Sequence, residues 1–271
     1  MTLSEDQKNA IRALLESQLK NKLKKYRRET QSMPFLEAIF QNPSQLAVYS
    51  FTHSVATSLG QSVFANVAKI IAKPNFDEVK TEFDLEGEVA EETRQLINNI
   101  MNEYKSDGRK ANKKQEIEEI LKSIQKSASI SKKKISKKKK MGVKKIKRRV
   151  DLYLKKGENE YCIEIKSPKP NINEFNKEKE KLLYWVALCK KNATTKVAMP
   201  YNPYSDDEYT RFAMQSVLDT KEELLTGDDF WAFLNNGEMT TYTEVITIFN
   251  EVGQKYNDEI KLKINSLNAP N

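Results

Sequence analysis

RRVDLYLKKGENEYCIEIKSPKPN, residues 148–171, decides how this chain folds. Val150, Leu152 and Leu154 alternate with Asp151 and Tyr153, and Tyr161, Ile163 and Ile165 alternate with Cys162, Glu164 and Lys166. Two period-two runs separated by GENE (157–160) predict a β-hairpin with a four-residue turn. Pairing Lys156 with Tyr161 sets Leu154 against Ile163 and Leu152 against Ile165, leaving one apolar face to pack inward. Asp151 then falls opposite Lys166, with Glu164 as its diagonal neighbour on the other face. Lys, Glu and Asp are seldom placed deep in a sheet, so either chemistry or solvation must explain the trio.

Two carboxylates on adjacent strands suit a hard divalent cation such as Mg²⁺, which takes oxygen ligands and keeps positions for water and phosphate. A lysine on the same face can orient an attacking water or neutralise charge at a crowded phosphoryl centre. An E-x-K tripeptide alone is far more often a solvated strand edge with a cross-strand ion pair. The apolar β-branched flanks, the upstream aspartate and the basic residues leading in favour a phosphodiester-cleaving site.

Those bases form a segment of their own. Between Glu119 and Asp151 no acidic residue occurs, while 14 lysines and arginines do. The chain has 46 basic and 38 acidic residues, so the rest of it is net −6. A concentrated positive segment suits a polyanion, because neutralised phosphates release counterions. A solvated loop or a localisation tract is the bland alternative. Within it, Lys137, Lys138, Lys139, Lys140, Lys144, Lys145, Lys147, Arg148 and Arg149 are the candidate DNA-binding residues. From Ser127 to Lys147 apolar periodicity is weak, so a mobile tract is expected there, with regular structure returning at Arg148.

Elsewhere the pattern is mostly helical. Residues 4–29 predict an amphipathic helix capped by Ser4, and MPFLEAIF from Met33 a short one. Residues 51–72 predict a buried helix in which Gly60 costs helicity unless something packs closely against it. A strand lies within 76–85, followed by helices over 87–105 and 113–127. NEFNKEKEKLLYWVALCKK (173–191) predicts an amphipathic helix and TTKVAM a strand, hence a crossover and a parallel pair. Helices over 207–219, GDDFWAFLNNG and 241–264 complete the chain. The fold class expected is α/β (α+β), a mixed central sheet flanked by helices. The division expected is a helical region 1–50, a core 51–255 with the basic segment 122–149, and a tail 256–271.

With 271 residues, 38% hydrophobic and 31% charged, the chain is a charged globular protein and not a disordered one. No uninterrupted apolar run reaches about 18 residues, so no membrane span is expected. The N-terminus lacks a basic leader with an apolar core. Two cysteines in no metal-ligand spacing suit a reducing, cytoplasmic location.

Asp151, twelve residues, then Glu164-Ile165-Lys166 resembles the D…E-x-K signature of the PD-(D/E)XK nuclease superfamily, with Val150 where proline is common. VDLYL…EYCIEIKSPKPN with HSVATSLG, LLYWVAL, MPYNPY and GDDFWAFLNNG is similar to the TdeIII-like type II restriction endonucleases. The resemblance implies Asp151 and Glu164 as metal-binding catalytic carboxylates, Lys166 as the catalytic lysine, and the Ile165 carbonyl as a further metal ligand. It also implies double-stranded DNA as substrate, a short palindromic site such as GGNCC, a homodimer and a cognate DNA methyltransferase. Many members add an acid from the helix before the sheet, yet no Asp or Glu lies between Glu37 and Asp77. Gln61 could stand in for it, with Glu37 and Asp84 as weaker candidates. His53, the only histidine, is tempting as a base but reads more simply as structural. A repair or structure-specific nuclease of the same superfamily, or a DNA-binding protein using only the lysine tract, stays open.

Overall fold

The hairpin forms, but around a tighter turn than expected. The computed structural model describes residues 2–27, 33–106, 108–133, 143–168, 171–191, 193–205, 207, 209 and 216–267. Strand β2 (Val143–Lys156) pairs antiparallel with β3 (Asn159–Ile165), with Lys156 against Asn159, Leu154 against Tyr161 and Leu152 against Ile163. Gly157 and Glu158 alone make the loop. Gly157 takes φ +57°, the left-handed value that a two-residue hairpin readily uses, and its N–H donates to Asp77 Oδ2 at 2.7 Å. The expected pairing is therefore corrected by two residues. An even slip keeps every side chain on its face, but it brings Asp151 beside Glu164 and leaves Lys166 beyond the paired stretch.

Strand β1 (Glu78–Ala90) pairs antiparallel along β2, from Glu78 against Lys155 to Ala90 against Val143. Residues 87–90 are thus strand rather than helix, and regular structure returns at Val143 rather than Arg148. Cross-strand charge accounts for both differences. Lys145 meets Glu86 at 2.6 Å, Lys147 meets Asp84 at 2.7 Å and Arg149 meets Glu82 at 2.5 Å. Lys137 to Lys140 lie outside the described residues.

Strand β4 (Thr194–Met199) lies parallel to β3, and β5 (Leu224–Thr226) parallel to β4, giving a mixed sheet in the order β1-β2-β3-β4-β5. Helix α1 (Glu5–Lys25) carries the expected Ser4 cap, closed into a capping box by Gln7. Helices α2 (Pro34–Phe40), α3 (Pro43–Ser58) and α4 (Phe64–Ala72) follow, the last two joined by a π turn over Leu59–Val63. Next come α5 (Glu91–Lys105), α6 (Lys113–Lys133) and α7 (Ile172–Cys189). Short α8 (Thr220–Glu223), α9 (Asp228–Leu234), α10 (Thr241–Lys255) and α11 (Asn257–Ser266) end the chain. The helix expected over 207–219 falls largely outside the described residues.

Helices cover both faces of the sheet. Ile97, Ile100, Ile120, Phe175, Leu182 and Trp185 of α5–α7 bury one side, with Val150, Tyr153, Cys162 and Val197. Ile11, Val67, Ile71, Phe230, Trp231 and Ile248 of α1, α4, α9 and α10 bury the other, with Leu152, Leu154, Ile163 and Ile165. Full burial of one such aliphatic side chain contributes about 1.5–3 kcal/mol. The expectation of one packed and one open face is therefore corrected. Val150 and Leu152, two residues apart, belong to opposite layers. The ladder is interrupted between them, where Glu82 of β1 takes φ +54°. Asp151 sits at this point, half-buried at the end of the sheet.

Only part of the apolar helix over 51–72 is buried. Gln45–Ala72 is long and apolar enough, by length and composition, to cross a bilayer. Val67, Ala68, Ile71 and Ala72 of α4 instead pack on the sheet, whereas Thr52, His53 and Thr57 of α3 are exposed.

Candidate active site

Glu164 is the penultimate residue of β3, between β2 and β4, with only 1% of its surface exposed. Asp151 reaches across from β2, where its Oδ2 accepts the Ile165 N–H at 3.0 Å. One residue on, the Lys166 N–H donates to the Ala198 carbonyl at 2.9 Å, which ties the strand end to β4. The Lys166 ammonium meets Glu164 Oε1 at 2.8 Å and Glu178 Oε1 at 3.1 Å. Lys181 meets the same Glu164 oxygen at 2.6 Å and Glu178 Oε2 at 3.2 Å. Asp151, Glu164 and Lys166 therefore come together as expected, joined by Glu178 and Lys181.

The last two come from α7. Asn171 starts this helix with a capping box, accepting from the Glu174 N–H at 3.0 Å while Glu174 accepts from the Asn171 N–H at 2.7 Å. The next two turns carry Glu178 and Lys181 to the site. Lys179 points away, fully buried, with Glu116 and Glu223 oxygens each at 2.6 Å. The Tyr104 hydroxyl donates to Glu116, completing a buried charge network behind the helix.

Burial and the Glu164 charge push the Asp151 carboxyl above its usual range, against the opposing Ile165 N–H. Burial also acts on Glu164, but Lys166 and Lys181 outweigh it and hold that carboxyl below its usual range. Glu178 is raised by burial and by Glu164. Burial disfavours the Lys166 charge, yet Glu164 and Glu178 prevail and raise its pKa, so Lys166 is an ammonium at neutral pH.

Glu164 Oε2 is buried and accepts no hydrogen bond. A carboxylate oxygen in that state lacks the donor or cation that buried charge demands. With the Asp151 carboxylate alongside, the donor set fits a hard divalent cation. Among the described residues, no group of three or more His, Cys, Asp or Glu side chains converges to hold one. The protein thus offers a carboxylate pair, and other oxygen ligands must come from backbone, water or a bound ligand.

The candidates for an extra acid sit elsewhere. Glu37 accepts the Met33 N–H at 2.9 Å and caps α2, and Asp84 pairs with Lys147. The acid that joins the cluster is Glu178, from the helix after the E-x-K strand. Its sequence signal was its place on the apolar stripe of α7, three residues after Phe175 and four before Leu182. His53 is exposed on α3, its ring stacked on Tyr49 at 6.0 Å. Trp185 and Trp231 are core.

Gly60 lies in the π turn against Ser167, the residue after Lys166. A Cβ on Gly60 would stand 2.8 Å from Ser167 Oγ. Gly60→Ala should be tolerated, because the hydroxyl can rotate and alanine recovers about 1 kcal/mol of helix propensity. Gly60→Leu should displace the strand exit and lower the melting temperature. Thermal melts of the two variants check this.

The fold is that of restriction endonucleases, a mixed five-stranded sheet flanked by helices. The chain belongs to the HinfI family of type II restriction endonucleases, whose model matches residues 3–253. It is 26% identical over 228 residues to the type II restriction enzyme MjaII of Methanocaldococcus jannaschii, covering 77% of this chain and 56% of that protein. It is 35% identical over 123 residues to HgiCII of Herpetosiphon aurantiacus, covering 43% and 44% respectively. HgiEI, from the same organism, is 33% identical over 122 residues. The chain thus spans about half the length of these relatives. The family matched is HinfI, not the TdeIII-like group.

Proposed function

We propose that this protein is a site-specific endodeoxyribonuclease that hydrolyses phosphodiester bonds of double-stranded DNA with Mg²⁺, using a PD-(D/E)XK site. The observation that carries the reading is the unpartnered Glu164 Oε2 beside Asp151, on the strand that ends in Lys166. Asp151, Glu164 and the Ile165 carbonyl would hold the cation. When bound, it would polarise the phosphodiester and support the departing 3′-oxygen. Lys166, kept protonated by Glu164 and Glu178, supplies a cation for the crowded phosphoryl group or orients the attacking water. Glu178 positions Lys166 from α7.

Incubation with unmodified phage DNA, with Mg²⁺ or with EDTA, tests this reading. Discrete fragments with Mg²⁺ alone are expected; DNA bound but uncut under every condition would assign the function to binding. The site is read as a short palindrome, for which GGNCC is the sequence implied by the TdeIII-like resemblance. A cytoplasmic enzyme with a partner DNA methyltransferase fits the same reading.

Cutting both strands of a palindrome is met most simply by two copies, each presenting one site. An apolar face on α2 and α3 supports this, with Phe35 84%, Ile39 73% and Tyr49 57% exposed. Phe35→Glu with Ile39→Glu should give a monomer by light scattering that nicks plasmid instead of linearising it. A dimer surviving both substitutions would move the interface elsewhere.

A further inference from the structure

The positive residues named from sequence on β2 are largely matched. Lys145, Lys147 and Arg149 face Glu86, Asp84 and Glu82, and Arg148 stacks on Tyr184 at 4.4 Å with Glu180 at 3.6 Å. A different surface is positive without such matching. Between α1 and α3 lies a cleft of about 720 Å³ with Lys22, Lys25 and Arg27 in its wall. Among the described residues, none that lines it is acidic, in a chain with 38 acidic residues. Among the described residues, no carboxylate pairs with those three cations; Lys22 instead donates to Ser54 Oγ at 3.0 Å. Lys263 of α11 lies near enough to Arg27 for that like charge, with burial, to lower its pKa.

Two further features point to DNA. The rest of the lining is mostly neutral and hydrogen-bonding, with Asn21, His53 and Gln61 among it. Amide side chains of this kind pair with adenine in the major groove, while bases hold phosphates. One lining residue, Gln61, also follows Gly60, which lies against Ser167 next to Lys166. The π turn that presents Gly60 and Gln61 is a helix irregularity of the type frequent at functional sites.

We infer that the cleft between α1 and α3 seats the substrate DNA, with Lys22, Lys25 and Arg27 on the backbone of one strand and Asn21, His53 and Gln61 at base edges. A cleft of this volume does not take a duplex; it takes one backbone and the groove edge behind it. The inference rests on the nuclease reading for its ligand, but binding tests it without catalysis.

Fluorescence anisotropy of a labelled random-sequence 30-base-pair duplex, with Ca²⁺ replacing Mg²⁺ and salt varied, separates the two surfaces. Lys22→Ala with Lys25→Ala should weaken binding at least tenfold and reduce the slope of log affinity against log salt by about 1.8, two phosphate contacts at about 0.9 each. Lys145→Ala with Lys147→Ala should change affinity less than threefold. The arginine pair, Lys22→Arg with Lys25→Arg, should bind as the wild type does, which separates lost charge from misfolding. Wild-type affinity and slope in the Lys22/Lys25 alanine pair, with loss in the β2 pair, would overturn the assignment. A wild-type protein that binds through the cleft but cleaves nothing with Mg²⁺ would instead count against the nuclease reading alone.

Discussion

Asp151→Asn is expected to lower DNA cleavage about a thousandfold or more, the scale of losing a preorganised electrostatic contact at phosphorus, while making the metal-free protein more stable. Asparagine keeps the shape and the oxygen that accepts the Ile165 N–H at 3.0 Å. It removes a negative charge that burial and Glu164 both disfavour. A carboxyl raised in the folded state binds more protons there than in the unfolded chain. Stability therefore falls as pH rises from the unfolded value up through the folded one, and the penalty persists at neutral pH. The asparagine variant lacks that penalty, so its melting temperature at pH 7 in EDTA should exceed the wild type's, and the gap should close in acid. A lower melting temperature would show that Asp151 is a structural ion-pair partner. Greater stability with lost activity is the mark of a site built for a ligand and not for the fold.

Lys179→Met should destabilise the protein by about 3–5 kcal/mol at pH 7, the cost of breaking a buried pair from one side. Lys179 is fully buried between Glu116 and Glu223, each at 2.6 Å, and its loss strands two carboxylates inside the α5–α7 layer. Burial already raises the Glu116 carboxyl even with Lys179 present. Without the ammonium, folding favours protonated carboxylates, so the deficit should shrink as pH falls toward 5. Adding Glu116→Gln and Glu223→Gln should recover much of it, because no uncompensated carboxylate is then left at that position. Urea denaturation at pH 7 and pH 5 measures all three. A loss under about 1 kcal/mol at pH 7 would mean that water reaches the network. Since Lys179 lies between Glu178 and Lys181 in sequence, this network also fixes the helix that brings both to Lys166.

The grouping of Asp151, Glu164 and Lys166 was legible because its signal is local. Asp151, Glu164 and Lys166 interrupt apolar alternation at positions that any register of that parity places together. The same periodicity hid the true pairing, since a two-residue slip preserves every face and only the Gly157 turn geometry selects between them. The reversal of layers at Asp151 left no trace in composition, because it depends on Glu82 across the ladder. The extension of β2 back to Val143 was obscured by lysines, which form a strand here because Glu82, Asp84 and Glu86 of β1 pair with Arg149, Lys147 and Lys145. Glu178 was visible as a charge on an apolar helical stripe, but its partner required the fold. The acid-free stretch between Glu37 and Asp77 was also visible, read as a missing ligand; joined to α1, it forms one wall of a cleft that no described carboxylate lines.

The most direct test is to digest unmodified phage DNA with the wild-type protein and Mg²⁺ and to sequence the resulting ends. Ends at one short recurring palindrome, each with 5′-phosphate and 3′-hydroxyl, are expected, and none from Asp151→Asn. Intact DNA, or ends scattered without a common sequence, would contradict this.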